Sequence, residues 1–159
     1  MKTCLILYDR VNLLSFAQIY NLLKKSKIKF DIISFHPQTK DEYEYTINSD
    51  ISNESLFGYE MIFLPDGLGA LDLQYDDIFL SWIKTAKDAK IKVCVDLGSL
   101  ILGGAGLLDG KKATVRGGYI NTLKEYCEHF DGDFYAGDDI ISILDTKDSW
   151  QKLADILNG

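Results

Sequence analysis

Residue types that mark particular chemistries are scarce in this chain. It has two histidines and three cysteines among 159 residues. The cysteines, Cys4, Cys94 and Cys127, are odd in number, form no C-x-x-C pair and have no histidine at metal-ligand spacing. Such a set is typical of reduced thiols in a cytoplasmic protein, not of disulfides or a structural zinc site. We therefore predict no metal site and no cofactor.

Basic residues and long apolar runs are also in short supply. Lysine and arginine number 17 against 24 acidic residues, so the net charge is −7. This balance argues against nucleic acid or an anionic membrane as a partner. No apolar run approaches the ~20 residues that a membrane span needs, and the residues after Met1 do not resemble a signal peptide. The expectation is a cytoplasmic globular protein.

Short apolar runs alternate with helical patterns along the chain. Strands are predicted over 3–8, 29–35, 59–64 and 91–95, with a hairpin or edge strand within 39–53 and a short strand at 134–135. Helices are predicted over 13–25, 76–89, 99–105 and 118–129, with one or two more over 138–159. This alternation predicts a three-layer α/β/α sandwich with a mostly parallel sheet. Because there is no internal repeat or linker, residues 1–159 are expected to form one domain.

The segment 91–108 carries the clearest functional pattern. Its first five residues are mostly apolar and β-branched, which favours a buried parallel strand. Asp96 ends this strand, and Leu97 and Gly98 form a tight turn into a short helix of small residues. A strand that passes directly into a helix presents one side chain at the apex of the turn, next to free N–H groups of the helix. The pattern therefore predicts a nucleophile elbow whose apex residue is Asp96.

The residues from Asp96 to Thr114 resemble the elbow block of the ThiJ/PfpI family, within the class I glutamine amidotransferase-like superfamily. In that family a catalytic cysteine precedes x-Gly-x-Leu-x-Leu, and Ala-Gly-Leu-Leu and Gly-x-x-Ala-Thr follow. This chain has the same spacing, with Asp96 where the family has its cysteine. Leu13–Ala17 and Met61–Gly67 agree with two further family blocks, so the resemblance covers residues 1 to about 116. It implies a flavodoxin-like sandwich and a homodimer.

The resemblance leaves three roles open for Asp96. The carboxylate can act as a nucleophile that forms an ester, or as an electrostatic or proton-transfer group in a hydratase-like reaction. It can instead be a structural cap, since aspartate is a favoured N-cap residue. In every case the helix N-terminus favours the charged form.

Two neighbours of the elbow also differ from the family pattern. The isonitrile hydratase branch has an acidic residue after Leu-Leu, whereas this chain has Ser15, which is expected to hydrogen-bond Asp96 or to be a surface or capping serine. Relatives continue Gly-x-x-Ala-Thr toward a histidine, whereas Arg116 stands here. An arginine can bind an anion or pair with Asp96, but it cannot act as a general base at neutral pH.

The oxyanion hole is the feature of the family that side-chain changes affect least. The resemblance assigns its two backbone donors to Leu97 and Gly67. Asp66 replaces the first glycine of the family's Pro-Gly-Gly turn and adds a negative charge. We therefore expect Asp66 and Arg116 to contact the ligand, and anionic substrates to be disfavoured.

Two functions are consistent with these residues. The first is a small-molecule hydrolase or isonitrile hydratase-like enzyme in which Asp96 acts with Ser15 and the N–H groups of Leu97 and Gly67. The second is a non-catalytic relative that binds a small molecule or a partner in the old pocket. A cysteine-dependent protease or deglycase is disfavoured because Cys94 lies on the strand before the elbow and points into the sheet layers.

Overall fold

The chain begins with a buried strand and then alternates between helices and strands, and the computed structural model describes residues 1–159. The strands are β1 (Thr3–Leu7), β2 (Asp31–Ser34), β3 (Gln38–Lys40), β4 (Thr46–Asn48), β5 (Ile51–Ser52), β6 (Met61–Leu64), β7 (Ile91–Val95), β8 (Lys112–Ala113), β9 (Glu128–His129), β10 (Phe134–Gly137) and β11 (Ile140–Ile143). The helices are α1 (Leu13–Lys25), α2 (Ala70–Leu73), α3 (Asp77–Lys84), α4 (Gly98–Gly104), α5 (Ile120–Leu123) and α6 (Lys147–Asn158), with a 3₁₀ turn at Gly117–Tyr119.

Seven strands form one sheet in the order β10-β11-β7-β6-β1-β2-β5. All neighbours are parallel except β10 and β11. The β3–β4 hairpin and the β8–β9 pair lie outside this sheet. The predicted mostly parallel sheet is confirmed. The hairpin or edge strand predicted within 39–53 corresponds to the β3–β4 hairpin, which begins at Gln38, and to the edge strand β5.

Helices cover both faces of the sheet. Alternate strand residues, such as Leu5 and Phe63, pack on one face against Ile19 of α1 and Leu153 of α6. The opposite set packs against α3, α4 and α5. Burial on both faces explains why the central strands are nearly continuous apolar runs. The fold is the predicted flavodoxin-like three-layer α/β/α sandwich.

Three helix predictions need correction. The helix predicted over 118–129 is only the four-residue α5, followed by β9. The region 138–159 contains one of the one or two predicted helices, α6, but its first part is the buried strand β11, whose three isoleucines are β-branched residues that favour a strand. Helix α3 ends at Lys84, since Thr85 forms its C-cap.

The longest helix, α1, has 13 residues. No helix combines the length and apolar character that crossing a bilayer would require.

Candidate functional site

The apex of the predicted elbow has an unusual backbone conformation. Asp96 follows β7 directly and has φ +49°, in the left-handed region that few non-glycine residues adopt. Its N–H donates to the carbonyl of Ile143 at 2.8 Å, and its own carbonyl accepts the N–H of Ser99 at 3.0 Å. Because β11 holds one side of the turn and α4 the other, the conformation is enforced from both directions.

Gly98 allows the turn to pass close to the neighbouring strand. A Cβ at this position would lie 2.7 Å from the carbonyl oxygen of Pro65 and 2.8 Å from that of Leu64. The end of β6 and the start of α4 therefore touch through the backbone. This contact brings Asp66, just after β6, beside Asp96.

Arg116 bridges the two carboxylates. Its N–H and Nε donate to Oδ1 and Oδ2 of Asp96 at 3.0 and 3.1 Å, and its Nη2 donates to Oδ2 of Asp66 at 2.6 Å. Arg116 therefore pairs with Asp96, as one of its predicted roles, and it also pairs with Asp66. The arrangement also rules out the capping role for Asp96, since α4 has Leu97 at its N-cap and no side-chain cap bond.

The second oxygen of Asp66 contacts the elbow itself. Oδ1 of Asp66 accepts the N–H of Leu97 at 3.0 Å. This N–H is one of the two donors that the family resemblance assigns to an oxyanion hole. In the structure it is already hydrogen-bonded within the protein.

Ser15 lies near these residues but not on Asp96. Its hydroxyl accepts the N–H of Asp66 at 2.9 Å, and its own N–H is capped by Asn12 at 2.8 Å. The predicted bond from Ser15 to Asp96 is therefore wrong. Ser15 is buried at the start of α1 and holds the Asp66 loop in place, so it is not a surface serine.

Gly67, the other predicted donor, lies one residue beyond Asp66 and packs tightly. A Cβ there would lie 2.7 Å from Cα of Val11 and 2.8 Å from the hydroxyl of Tyr8. The Tyr8 hydroxyl donates to the carbonyl of Pro65 at 2.5 Å. Thus the structure groups all six predicted site residues around one turn, although with different partners from those expected.

Glu42 is a residue of this region that the sequence analysis missed. It accepts hydrogen bonds from Nδ2 of Asn12 at 2.8 Å and from the N–H of Leu68 at 2.9 Å. The residue lies between β3 and β4, and nothing in the sequence indicates how the hairpin folds over the site. An acidic side chain in a predicted hairpin was the only available signal.

The two carboxylates have unequal environments. Burial, and next the charge of Asp96, raise the pKa of Asp66 to about 6, against the lowering effect of Arg116. One positive charge therefore faces two acidic groups, and Asp66 takes up a proton as the pH falls to about 6.

The cysteine nearest the elbow is not poised for nucleophilic chemistry. Cys94 is fully buried, and burial raises its pKa to about 11. Its sulfur accepts from the Ser99 hydroxyl at 3.2 Å. A thiol of this kind is inert compared with a catalytic cysteine.

A cavity of about 280 Å³ lies next to the turn, at the carboxyl ends of β1 and β2. Tyr8 lines it, together with Phe35 and Phe79. Asp66, Asp96 and Arg116 are not among its walls. The ionic bridge and the cavity are therefore separate features, and they are connected through Tyr8 of the cavity wall, which bonds the carbonyl of Pro65 next to Asp66.

Comparisons with known proteins show which proteins share parts of this sequence and its fold. No protein-family model matches the sequence. A 65-residue segment, 40% of this chain, is 40% identical to isonitrile hydratase of Pseudomonas putida and spans 28% of that protein's length.

Solved structures match almost the whole chain. A ThiJ/PfpI family protein from Pseudomonas syringae superposes with a TM-score of 0.86 at 20% identity, over 98% of this chain and 68% of that one. DJ-1beta of Drosophila melanogaster gives a TM-score of 0.84 at 17% identity, over 99% and 91% of the two chains. The chain therefore has the fold of ThiJ/PfpI and DJ-1 proteins.

Proposed function

We propose that the protein is a ThiJ/PfpI-like protein that binds a small molecule and does not use its elbow for covalent catalysis. The observation that carries the proposal is that both oxygens of the Asp96 carboxylate are hydrogen-bonded to Arg116. The residue as a whole is 7% exposed. A nucleophile needs an oxygen that can leave its hydrogen-bond donor and an open line of approach; here Arg116 donates to each Asp96 oxygen and only 10% of the side chain is exposed.

The occupied donor on Leu97 supports the same conclusion. An oxyanion hole stabilises a negative charge that develops during the reaction. Here the N–H of Leu97 is bonded to Asp66 at 3.0 Å, so a developing oxyanion would have to displace a carboxylate and lie beside another. Both steps are electrostatically unfavourable.

A second candidate is the isonitrile hydratase-like enzyme with Asp96 at the elbow in place of cysteine. Two observations favour it: the left-handed backbone at Asp96 and the 65-residue match to isonitrile hydratase. In this scheme Arg116 swings away and Asp96 takes a proton from a water, whose oxygen attacks the isonitrile carbon while protonated Asp66 gives a proton to the same carbon. The hydroxyl proton of the resulting imidic acid moves to nitrogen, which gives the formamide, and the proton on Asp96 returns to Asp66, so one water is consumed. If Asp96 itself attacks the carbon, a water must then hydrolyse the adduct to release the formamide and the free carboxylate.

An isonitrile turnover assay separates the two candidates. Wild-type protein, Asp96→Asn and the control Asp109→Asn are incubated with an alkyl isonitrile, and the N-substituted formamide is measured. Asp109 is an exposed acid after α4, so its variant matches the charge change away from the turn. We expect no formamide above the uncatalysed background. Formamide production that Asp96→Asn abolishes and Asp109→Asn retains would establish the enzyme instead.

The resemblance further suggests a homodimer, and the cytoplasm remains the predicted location. Apolar side chains are exposed at the start of α1 and on the β3–β4 loop: Leu14, Tyr43 and Tyr45. They support a dimer interface formed by these two segments. Light scattering on a size-exclusion column measures the mass directly: about twice 17.9 kDa is expected.

A further inference from the structure

The cavity beside Tyr8 has an apolar body. Aromatic rings of Tyr8, Phe35 and Phe79 line it, and Ile78 belongs to the same wall. Tyr8 and Phe79 are buried, while Ile78 is 72% exposed and therefore lies where the cavity meets solvent. A volume of about 280 Å³ is enough for a small organic molecule with one ring.

Two acidic side chains also line this cavity. Asp9 accepts the N–H of Lys40 at 3.1 Å, and Asp76 accepts the N–H of Phe79 at 3.1 Å, each through Oδ1. Neither carboxylate takes part in an ion pair. The nearby Arg10 is paired with Asp72 instead. The cavity thus has two carboxylates, both on exposed residues, without an ion-pair partner, and His36 is the only basic residue in its wall.

A third polar group in the wall lacks a partner. Thr39 is 3% exposed, lines the cavity, and its hydroxyl has no hydrogen bond within the protein. A buried polar atom without a partner is unfavourable, so most such atoms in native proteins have one. A ligand with a hydrogen-bonding group would supply it.

We propose that this cavity binds a small organic ammonium compound with an aromatic or alkyl body. The apolar part fills the space between the rings, while the ammonium group lies near Asp9 and Asp76 and over an aromatic face. Its three N–H donors match acceptors that the cavity offers and the protein leaves free. The assignment rests on the proposed binding function, because it names the ligand class of that function.

Three probes of similar shape test the assignment: 2-phenylethylammonium, the neutral 2-phenylethanol and the anionic 3-phenylpropionate. Each is titrated into ¹⁵N-labelled protein, and the amide shifts are followed by NMR. The ammonium compound should perturb the amides of Tyr8, Phe35 and Phe79 saturably. It should bind at least about tenfold more tightly than the alcohol, and the anion should not bind.

Charge and space are then varied separately. Asp76→Asn keeps a good N-cap for α3, since asparagine caps as well as aspartate, and removes the charge. We expect it to weaken ammonium binding three- to tenfold, whereas the control Asp77→Asn, one residue along the same helix and outside the cavity wall, should not change it. Ile78→Trp changes an exposed residue, leaves the core intact and should weaken every probe that binds.

The outcomes that contradict the assignment are distinct. Equal affinity for alcohol and ammonium, no effect of Asp76→Asn, or no saturable shift with any probe would each overturn it. Shifts centred on Asp96, Leu97 and Arg116 would overturn the cavity site but support ligand binding at the turn. Isonitrile turnover lost in Asp96→Asn would contradict the proposed function, and shifts around Phe79 would then still support the cavity site.

Discussion

The N–H of Leu97 and the carboxylate of Asp66 are joined by a 3.0 Å hydrogen bond. This bond links the residue after the elbow apex to the loop after β6. The same carboxylate accepts from Nη2 of Arg116 at 2.6 Å, so a single cation holds the two loops together. The geometry of the turn therefore depends on the charge of Arg116 against those of Asp66 and Asp96 as well as on the backbone conformation.

Removing the cation should destabilise the protein. Arg116→Met leaves Asp66 and Asp96 facing each other without a counter-charge. Breaking a buried pair by removing one partner typically costs about 3–5 kcal/mol, and partial exposure of the arginine reduces this to about 2 kcal/mol here. Urea denaturation at pH 7 measures the loss in free energy of unfolding.

The matched control for this variant is Arg10→Met. Arg10 pairs with Asp72 at 3.7 Å between largely exposed side chains. Surface pairs of this kind contribute about 0–1 kcal/mol, so little change is expected. Equal losses in both variants would contradict a stabilising role for the bridge.

The raised pKa of Asp66 predicts a specific pH dependence. The folded-state pKa is about 6 and the ordinary value is 3.8, so the folded state binds more protons between these values. Asp66 therefore adds stability as the pH falls from 7 toward 4. The stability difference between wild type and Asp66→Asn should shift in favour of wild type by about 2 kcal/mol over that range.

Asp139 provides the opposite case. Burial raises its pKa, but hydrogen bonds to Lys111 and Lys92 outweigh this effect and lower it overall. The stability that the charged Asp139 adds is fully present above the ordinary pKa of 3.8 and is lost only in stronger acid. The difference between wild type and Asp139→Asn should therefore stay flat from pH 7 to about pH 5. A parallel change in both variants would show that Asp66 is not the group responsible.

Variants of Asp96 should separate the backbone conformation from the side-chain bonds. Asparagine tolerates a positive φ and retains one acceptor, whereas alanine does neither. We expect Asp96→Ala to be about 1 kcal/mol less stable than Asp96→Asn, as measured by thermal and urea unfolding.

Asp138 gives the comparison for this pair of variants. It also has a positive φ, +55°, but its side chain is exposed. Asp138→Ala should lose only the free energy of unfolding that follows from placing alanine at a positive φ. If Asp96→Ala costs no more than Asp138→Ala, the bonds to Arg116 contribute nothing to stability.

The close approach at Gly98 can be tested with one methyl group. In Gly98→Ala the new Cβ meets two carbonyl oxygens at 2.7 and 2.8 Å, and backbone atoms cannot move aside cheaply. A loss of about 2 kcal/mol is expected. Gly118→Ala, with nothing within 4 Å of the added Cβ, should change stability by less than about 0.5 kcal/mol.

The sequence was most informative where a local pattern determines the structure. The apolar runs of β1, β6 and β7 predict buried parallel strands, and this prediction depends only on periodicity. Asp66 was singled out through the family resemblance, and the structure shows that the ends of β6 and β7 bring it beside Asp96.

The sequence was least informative where partners come from distant segments. Ser15 bonds the Asp66 loop and not Asp96. The position of the first turn of α1 relative to the loop after β6 decides which group the Ser15 hydroxyl meets. The four residues of β11 are too short to distinguish a buried strand from a helix by periodicity. Their pairing with β7 is a tertiary contact that local preference does not reveal.

The position of β11 also determines the order in which the turn can form. During synthesis β7 leaves the ribosome almost 50 residues before Ile143, whose carbonyl holds the N–H of Asp96. Until that strand arrives, one edge of β7 has no partner and is open to pairing with another chain. Chains arrested before residue 140 should therefore aggregate through β7. Synthesis of β11 covers that edge and also supplies the carbonyl of Ile143 that holds the backbone of Asp96.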